Sequence, residues 1–123
     1  MSDILVFHAA GRAIGVPALT VHRVIDDADI LPVPATPPFY MGLLYHRGEL
    51  FDVIHVGGVL YSSPPARCAG GRRIILMKWD GHRIALAPDS VQGLEPFTGG
   101  EDVQLVDPGS IRERALELQD GCI

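Results

Sequence analysis

An all-β fold followed by one short C-terminal helix is predicted by three observations. Two apolar runs, Met41 to Tyr45 and Leu50 to Val56, face each other across Arg47, Gly48 and Glu49, and a Gly in a link of that length supplies the positive φ a hairpin loop needs. Both runs are apolar at nearly every position rather than at alternate ones, the pattern of strands buried on both faces, as in a closed barrel or between two packed sheets. A second pair of runs, Arg73 to Trp79 and His82 to Ala87, meets at Asp80-Gly81, a dipeptide that favours the type I′ turn. An arginine at the tip of so apolar a hairpin as the first has little local reason to be there unless it caps the structure or meets a partner. Arg47 is therefore the first candidate for contact.

The other elements follow from local chemistry. Ile4 to His8 reads as a strand, Ala9-Ala10-Gly11 as a turn, and Arg12 to Val16 as a second strand. Pro17 ends it, because a residue without an N–H cannot join a ladder interior. Leu19, Val21, Val24 and Ile25 have mixed spacing, compatible with a single helical turn running into a strand. Asp26 to Asp29 is an acidic turn, and Ile30 to Phe39, with Pro at 32, 34, 37 and 38, is a stiff extended link. Gly57 and Gly58 break the strand that starts at Leu50, and the polar, Pro- and Gly-containing stretch from Tyr61 to Gly71 is the best subdomain boundary. Ser90 to Phe97 and Val103 to Val106 are further short strands. Ser110 and Glu113 form a capping box for a tail helix whose Ile111, Ala115 and Leu118 share one face.

Composition narrows the function. A chain of 123 residues is one compact domain in size and buries roughly two thirds of its unfolded surface. With 47% hydrophobic and 20% charged residues it is far from the disordered class. A net charge of −5 and a pI near 5.4 argue against gripping a nucleic-acid backbone, which takes clustered Lys and Arg. Only Arg67, Arg72 and Arg73 approach a cluster, beside a Gly-rich loop. No apolar run reaches the length of a membrane span, and the N-terminus lacks a basic, export-type leader, so a cytoplasmic protein without membrane insertion is expected. Cys68 and Cys122, the only cysteines, form neither a disulfide framework nor a zinc pattern.

Signals for catalysis are weak. His46, Glu49, Asp52 and His55 fall in one hairpin and belong to the ligand set of zinc or non-haem iron, but the strand period turns Asp52 and His55 to opposite faces. No G-x-S-x-G elbow or phosphate-cradling glycine loop is present. We therefore expect no enzyme, no cofactor and no metal. A small metal- or acid/base-dependent enzyme using His46, Glu49 and His55 is the alternative from another class.

Five segments, ILVFHAAG, RAIGVPALTVHRVID, ILPVPATPPFY, GLLYHRGELFDVIHV and RRIILMKWDGHRIALAPDSVQGL, occur in the order and spacing of a known family. Together they resemble a CheW-like domain: a strand with a glycine turn, a strand leading into "xxVxxV", a Pro-rich link, a "GxxxxRGxxxxVxxL" hairpin and a second set of strands. The resemblance implies two small SH3-like β-barrels packed together in a single CheW-like domain over 1–123, the first barrel about 1–60, the second with the tail helix about 72–119. It implies a non-enzymatic adaptor joining a chemoreceptor of the methyl-accepting class to a CheA-type histidine kinase. A stand-alone SH3-like peptide-binding module outside chemotaxis is a further alternative.

Carried over residue by residue, the family's partner-binding positions fall on Val21, Arg23, Gly42, Tyr45 and Arg47. Three positions depart from the family: Arg23 stands where an acidic residue is usual, Tyr45 where an asparagine is, and His55 where an aspartate is. A reversed charge at a rim changes which partners approach. Each position also has a plainer reading, Val21 as core, Gly42 as a bulge or tight corner, Tyr45 as an ordinary strand aromatic and Arg47 as a solvated turn residue. Five strand segments for the first barrel against four for the second imply an incomplete second barrel, its open edge covered by the tail helix or filled by a second copy or the kinase.

Overall fold

The computed structural model describes residues 3–26, 30–31, 39–61, 73–96 and 103–120. The Pro-rich link at 32–38, the loop carrying Arg67, Cys68 and Arg72, the loop at 98–102, Cys122 and the side chain of Leu118 lie outside what is described.

The chain begins with the hairpin β1 (Asp3–Ala9) and β2 (Arg12–Pro17), passes a 3-10 turn at Ala18–Thr20 and enters β3 (Val21–Asp26). The 3-10 turn is closed by the Thr20 hydroxyl, which donates to the Pro17 carbonyl at 2.7 Å. Next come β4 (Tyr40–His46), β5 (Glu49–His55), α1 (Val56–Tyr61), β6 (Arg73–Trp79), β7 (His82–Ala87), β8 (Ser90–Pro96), β9 (Gln104–Leu105) and α2 (Pro108–Asp120).

All three hairpins turn in the same way. Ala10-Gly11, Arg47-Gly48 and Asp80-Gly81 each place two successive residues at positive φ, at 52° and 74°, 49° and 84°, and 46° and 80°. That is the type I′ turn, whose twist matches the strands it joins. The link expected over Arg47, Gly48 and Glu49 is thus two residues long, because Glu49 already pairs with His46 in the ladder.

The strands form two sheets, ordered β8-β1-β2-β9 and β3-β6-β7-β5-β4. The allocation of β1 to β5 to one barrel and of the remaining strands to the other is corrected: β8 and β9 flank the β1–β2 hairpin, while β3, β4 and β5 flank β6 and β7. Pro17 is the physical reason for the first crossing. It ends β2, and the 3-10 turn carries the chain into the other sheet.

The five-stranded sheet is buried on both faces, which is why its strands read as unbroken apolar runs. One face meets the four-stranded sheet in the larger core, with Leu5, Phe7, Ile14, Val16, Ile75, Met77 and Leu86. The other face encloses a smaller core of Leu44, Phe51, Val53, Ile74, Leu76, Ala85 and Ala87. Ile25 from β3 and Met41 from β4, at opposite edges, both pack on that smaller core, so the sheet curls around it.

Two local expectations are revised. The strand does break before Gly57-Gly58, but into helix α1. There the His55 ring, only 6% exposed, accepts the Gly58 N–H on Nδ1 at 3.0 Å and caps one of the N–H groups a helix start leaves unpaired. The capping box at Ser110 is displaced: α2 starts earlier, at Pro108, whose missing N–H suits the first helical position. The Asp107 carbonyl accepts from Ser110 and Ile111 at 3.0 and 3.3 Å. Ile111 and Ala115 are buried in the larger core beside Val56, Val59 and Val106, so the tail helix does cover apolar surface.

Candidate functional site

Hydrogen-bond register sorts the five candidate residues onto different parts of the five-stranded sheet. Tyr45 pairs directly with Leu50, and both are open to solvent, at 65% and 51%. Side chains directly opposite each other stand on one face about 5 Å apart, so the pair makes an apolar platform just behind the turn. Leu43 pairs with Asp52 on the same face, and the exposed Leu31 bridges to Leu43 from the link, with N–H to carbonyl bonds of 2.8 and 2.9 Å in both directions. Arg47 occupies the turn at the end of this platform.

Asp52 accepts from the Tyr40 hydroxyl at 2.7 Å. Burial first, then that bond and the carboxylate's charge, push the Tyr40 hydroxyl above the usual phenol range. The bond holds Asp52 at the border between the platform and the larger core, against which Tyr40 packs.

Gly42 is buried and sits in a β-bulge. Tyr40 pairs with Ile54 but Gly42 pairs with Val53, leaving Met41 as the extra residue, and Gly42 has φ 137°, a conformation that a side chain strains. Gly42 thus stands at a bulge between Tyr40 and Leu43.

Val21 and Arg23 lie on β3, at the sheet edge opposite β4, with β6, β7 and β5 between. They point to opposite faces. Val21 pairs with Met77 and packs on the larger core, whereas Arg23 pairs with Leu76, which belongs to the smaller one. A bulge between them, with His22 as the extra residue, breaks the alternation that would have put residues two apart on one side. Arg23 is exposed and makes no ion pair among the described residues. The structure brings Tyr45 and Arg47 together and separates them from both Val21 and Arg23.

The residues of the alternative enzyme are not gathered either. His46 and Glu49 flank the turn, while His55 is six residues along β5, roughly 20 Å away at the rise of an extended strand, and engaged with α1. Glu49 is held by Lys78, whose Nζ donates to Oε1 at 2.9 Å. That bond is the main reason the Glu49 carboxyl sits below the ordinary carboxylate range; burial opposes it, and the charges of Lys78, Arg83 and His22 assist.

Leu50, Lys78 and Arg83 were missed from sequence. The signal for Leu50 was available: a two-residue turn at Arg47-Gly48 places Tyr45 opposite Leu50. Lys78 and Arg83 required knowledge of how the second hairpin packs beside the first.

A model of the CheW-like domain matches residues 3–109. The chain belongs to the CheW-like domain family. It is similar to the protein FrzA of Myxococcus xanthus, 29% identical over 92 residues that make up 75% of this chain and 57% of that protein. In three dimensions it is similar to the scaffolding protein TtCheW from Thermoanaerobacter tengcongensis, with a TM-score of 0.70, 28% identity, and coverage of 78% of this chain and 65% of that one. The chain thus spans less than two thirds of either relative. Its β-rich fold, with two sheets and a C-terminal helix, is the CheW fold of two SH3-like barrels. Among the described residues no helix is long and apolar enough to cross a membrane.

Proposed function

We propose that the chain is a non-enzymatic cytoplasmic adaptor that couples a chemoreceptor-like protein to a CheA-type histidine kinase. The observation that carries this reading is the hairpin β4–β5: it holds the family's arginine, Arg47, at its tip and beside it an exposed Tyr45–Leu50 pair with no role in either core. Tyr and Arg are residue types that anchor interfaces. We assign Tyr45, Leu50 and Arg47 to one partner, with Gly42 shaping their strand. Val21 and Arg23, on the opposite edge strand, serve a second contact. Two separated contacts are what a coupling protein needs.

The test is capture of partners from the native cytoplasm, followed by calorimetric titration of Arg47→Glu. A turn-tip surface change usually costs the fold within about 0.5 kcal/mol, whereas a well-placed interface arginine is worth about 2 kcal/mol or more of binding. Kinase and receptor in the capture, with weakened binding to one of them in Arg47→Glu, support the proposal. Unchanged binding to both removes Arg47 from the contact.

Homodimer formation through an open sheet edge is a further part of the proposal. β8 is an outer strand of the four-stranded sheet and β9 is only two residues long. Analytical ultracentrifugation of the full chain against one ending at Asp107 separates the cases. A dimer that survives truncation supports edge pairing, and a monomer that unfolds on losing Ile111 and Ala115 shows that α2 alone completes the fold.

A further inference from the structure

The protein is acidic overall, yet the five-stranded sheet that curls around the smaller core, the smaller barrel, is cationic at one end. Lys78 on β6 and Arg83 on β7 are direct cross-strand partners, and Arg23 on β3 lies on the same face, opposite Leu76, two residues before Lys78. His22 occupies the adjoining bulge, His46 stands opposite Glu49 on the β4–β5 hairpin, and Arg47 follows His46 in the turn. Among the described residues the carboxylates at this end are Glu49, which reaches Lys78 at 2.9 Å, and Asp80, which lines a shallow depression at the β6–β7 tip together with Lys78 and Arg83. Among the described residues three permanent cations on one face, Arg23, Lys78 and Arg83, thus meet two carboxylates in a molecule whose formal net charge is −5. Like charges placed directly opposite in a sheet destabilise it, and an anionic visitor relieves that repulsion.

A second observation narrows what kind of anion fits. His46 Nε2 and Glu49 Oε2 are buried and have no hydrogen-bond partner among the described residues, and orphaned buried polar atoms carry a desolvation cost that a ligand can remove. Glu49 Oε2 needs a donor, while the surrounding cations need acceptors. A small inorganic anion supplies acceptors and at most a hydroxyl donor at the same centre, and its charge is repelled by Glu49. An extended peptide supplies both, carboxylates on its side chains and N–H groups on its backbone.

We propose that this end of the smaller barrel docks an extended acidic segment of a partner protein, its carboxylates against Arg23, Lys78 and Arg83 and its backbone N–H groups against Glu49. The proposal deepens the adaptor reading by giving one partner its chemistry, and it rests on that reading only for the partner's being a protein. The reversal at Arg23 is then a change of partner chemistry.

The test is an NMR titration of the isotope-labelled full chain with a capped peptide of repeated Glu-Gly, with a Gln-Gly peptide and inorganic phosphate as comparators. Shifts should be confined to β3, the β6–β7 tip and Glu49, and should fade with salt. Affinity should fall more than about tenfold in Arg23→Glu/Arg83→Glu, because juxtaposed like charges are strongly unfavourable. Arg23→Gln/Arg83→Gln, which adds no repulsion and serves if the first variant misfolds, should bind weakly and keep the wild-type Tm. Equal binding of the Gln-Gly peptide, equal shifts with phosphate, or unchanged affinity in the Gln variant overturns the proposal. Partner capture by the wild-type chain does not depend on these peptides, so its failure counts against the adaptor reading alone.

Discussion

The hairpins β4–β5 and β6–β7 have the same two-residue turn and similarly apolar strands, yet the apolar middle of one is sealed in the cores while the other leaves an apolar pair in solvent. β6 and β7 occupy the middle of the five-stranded sheet with a neighbour on each side, and Ile74, Ile75, Leu76 and Met77 are all fully buried. β4 is an edge strand, and near its turn the platform face runs out from under the other sheet, leaving Tyr45 and Leu50 in solvent. Hydrophobicity of the run does not separate the two hairpins. Position in the strand order does.

The sharpest way to break this comparison is to truncate a leucine in each hairpin. Leu76→Ala removes a side chain with no exposure and should cost about 2–5 kcal/mol, the range for emptying a packed core site. Leu50→Ala, at 51% exposure, should stay within about 0.5 kcal/mol and show instead as weaker partner binding. Urea denaturation measures the first effect and calorimetry the second. Comparable losses of stability in the two variants would contradict the division between fold and contact.

Much of this was legible in the sequence. The first two hairpin strands, the β6–β7 hairpin with its Asp80-Gly81 turn and the tail helix all follow from turn chemistry and apolar runs, whereas the mixed spacing of Leu19, Val21, Val24 and Ile25 left helical turn and strand undivided. Strand partnership was not legible, because nothing local to β8 says that it pairs with β1; there the Asp89 carboxylate and backbone N–H tie it to Ala10 and His8 at 3.0 and 2.8 Å. The placement of the candidate residues was not legible for a related reason. A single extra residue, His22, sends Val21 and Arg23 to opposite faces, and no pattern in a six-residue strand announces a bulge. Helix α1 hid behind Gly57-Gly58, since glycines are poor helix formers and the His55 cap appears only in three dimensions.

A smaller effect sharpens the comparison at the turns themselves. Arg47 and Ala10 both sit at left-handed φ, 49° and 52°, where a residue with a Cβ is strained and Asn is better tolerated. Arg47→Asn and Ala10→Asn should each stabilise the fold by up to about 1 kcal/mol, read as a rise in the urea midpoint. Only Arg47→Asn should weaken partner binding. Strain kept at a contact position is expected where the side chain serves function rather than folding, and Ala10→Asn is its control. Equal binding by the two variants would reduce Arg47 to an ordinary turn residue.

The smallest effect is electrostatic and joins the two hairpins. The ion pair of Glu49 in β5 with Lys78 in β6 spans the intervening β7, and the Lys78 hydrogen bond, with help from the charges of Lys78, Arg83 and His22, holds the Glu49 carboxyl below its ordinary value against the opposing effect of burial. A carboxyl depressed in the folded state binds its proton more readily when unfolded, so its contribution is present above the unfolded pKa of about 4.3. It is lost as pH falls through the lower folded value. Half-exposed pairs contribute little, so Glu49→Gln should barely change the urea midpoint near neutrality relative to other surface variants. The diagnostic is the slope: between about pH 5 and pH 3 the wild type should lose stability more steeply than Glu49→Gln. Lys78→Met should flatten the same limb, because it removes the cation chiefly responsible. Parallel acid limbs in all three proteins would show that the bridge does not tie the contact hairpin to the central one.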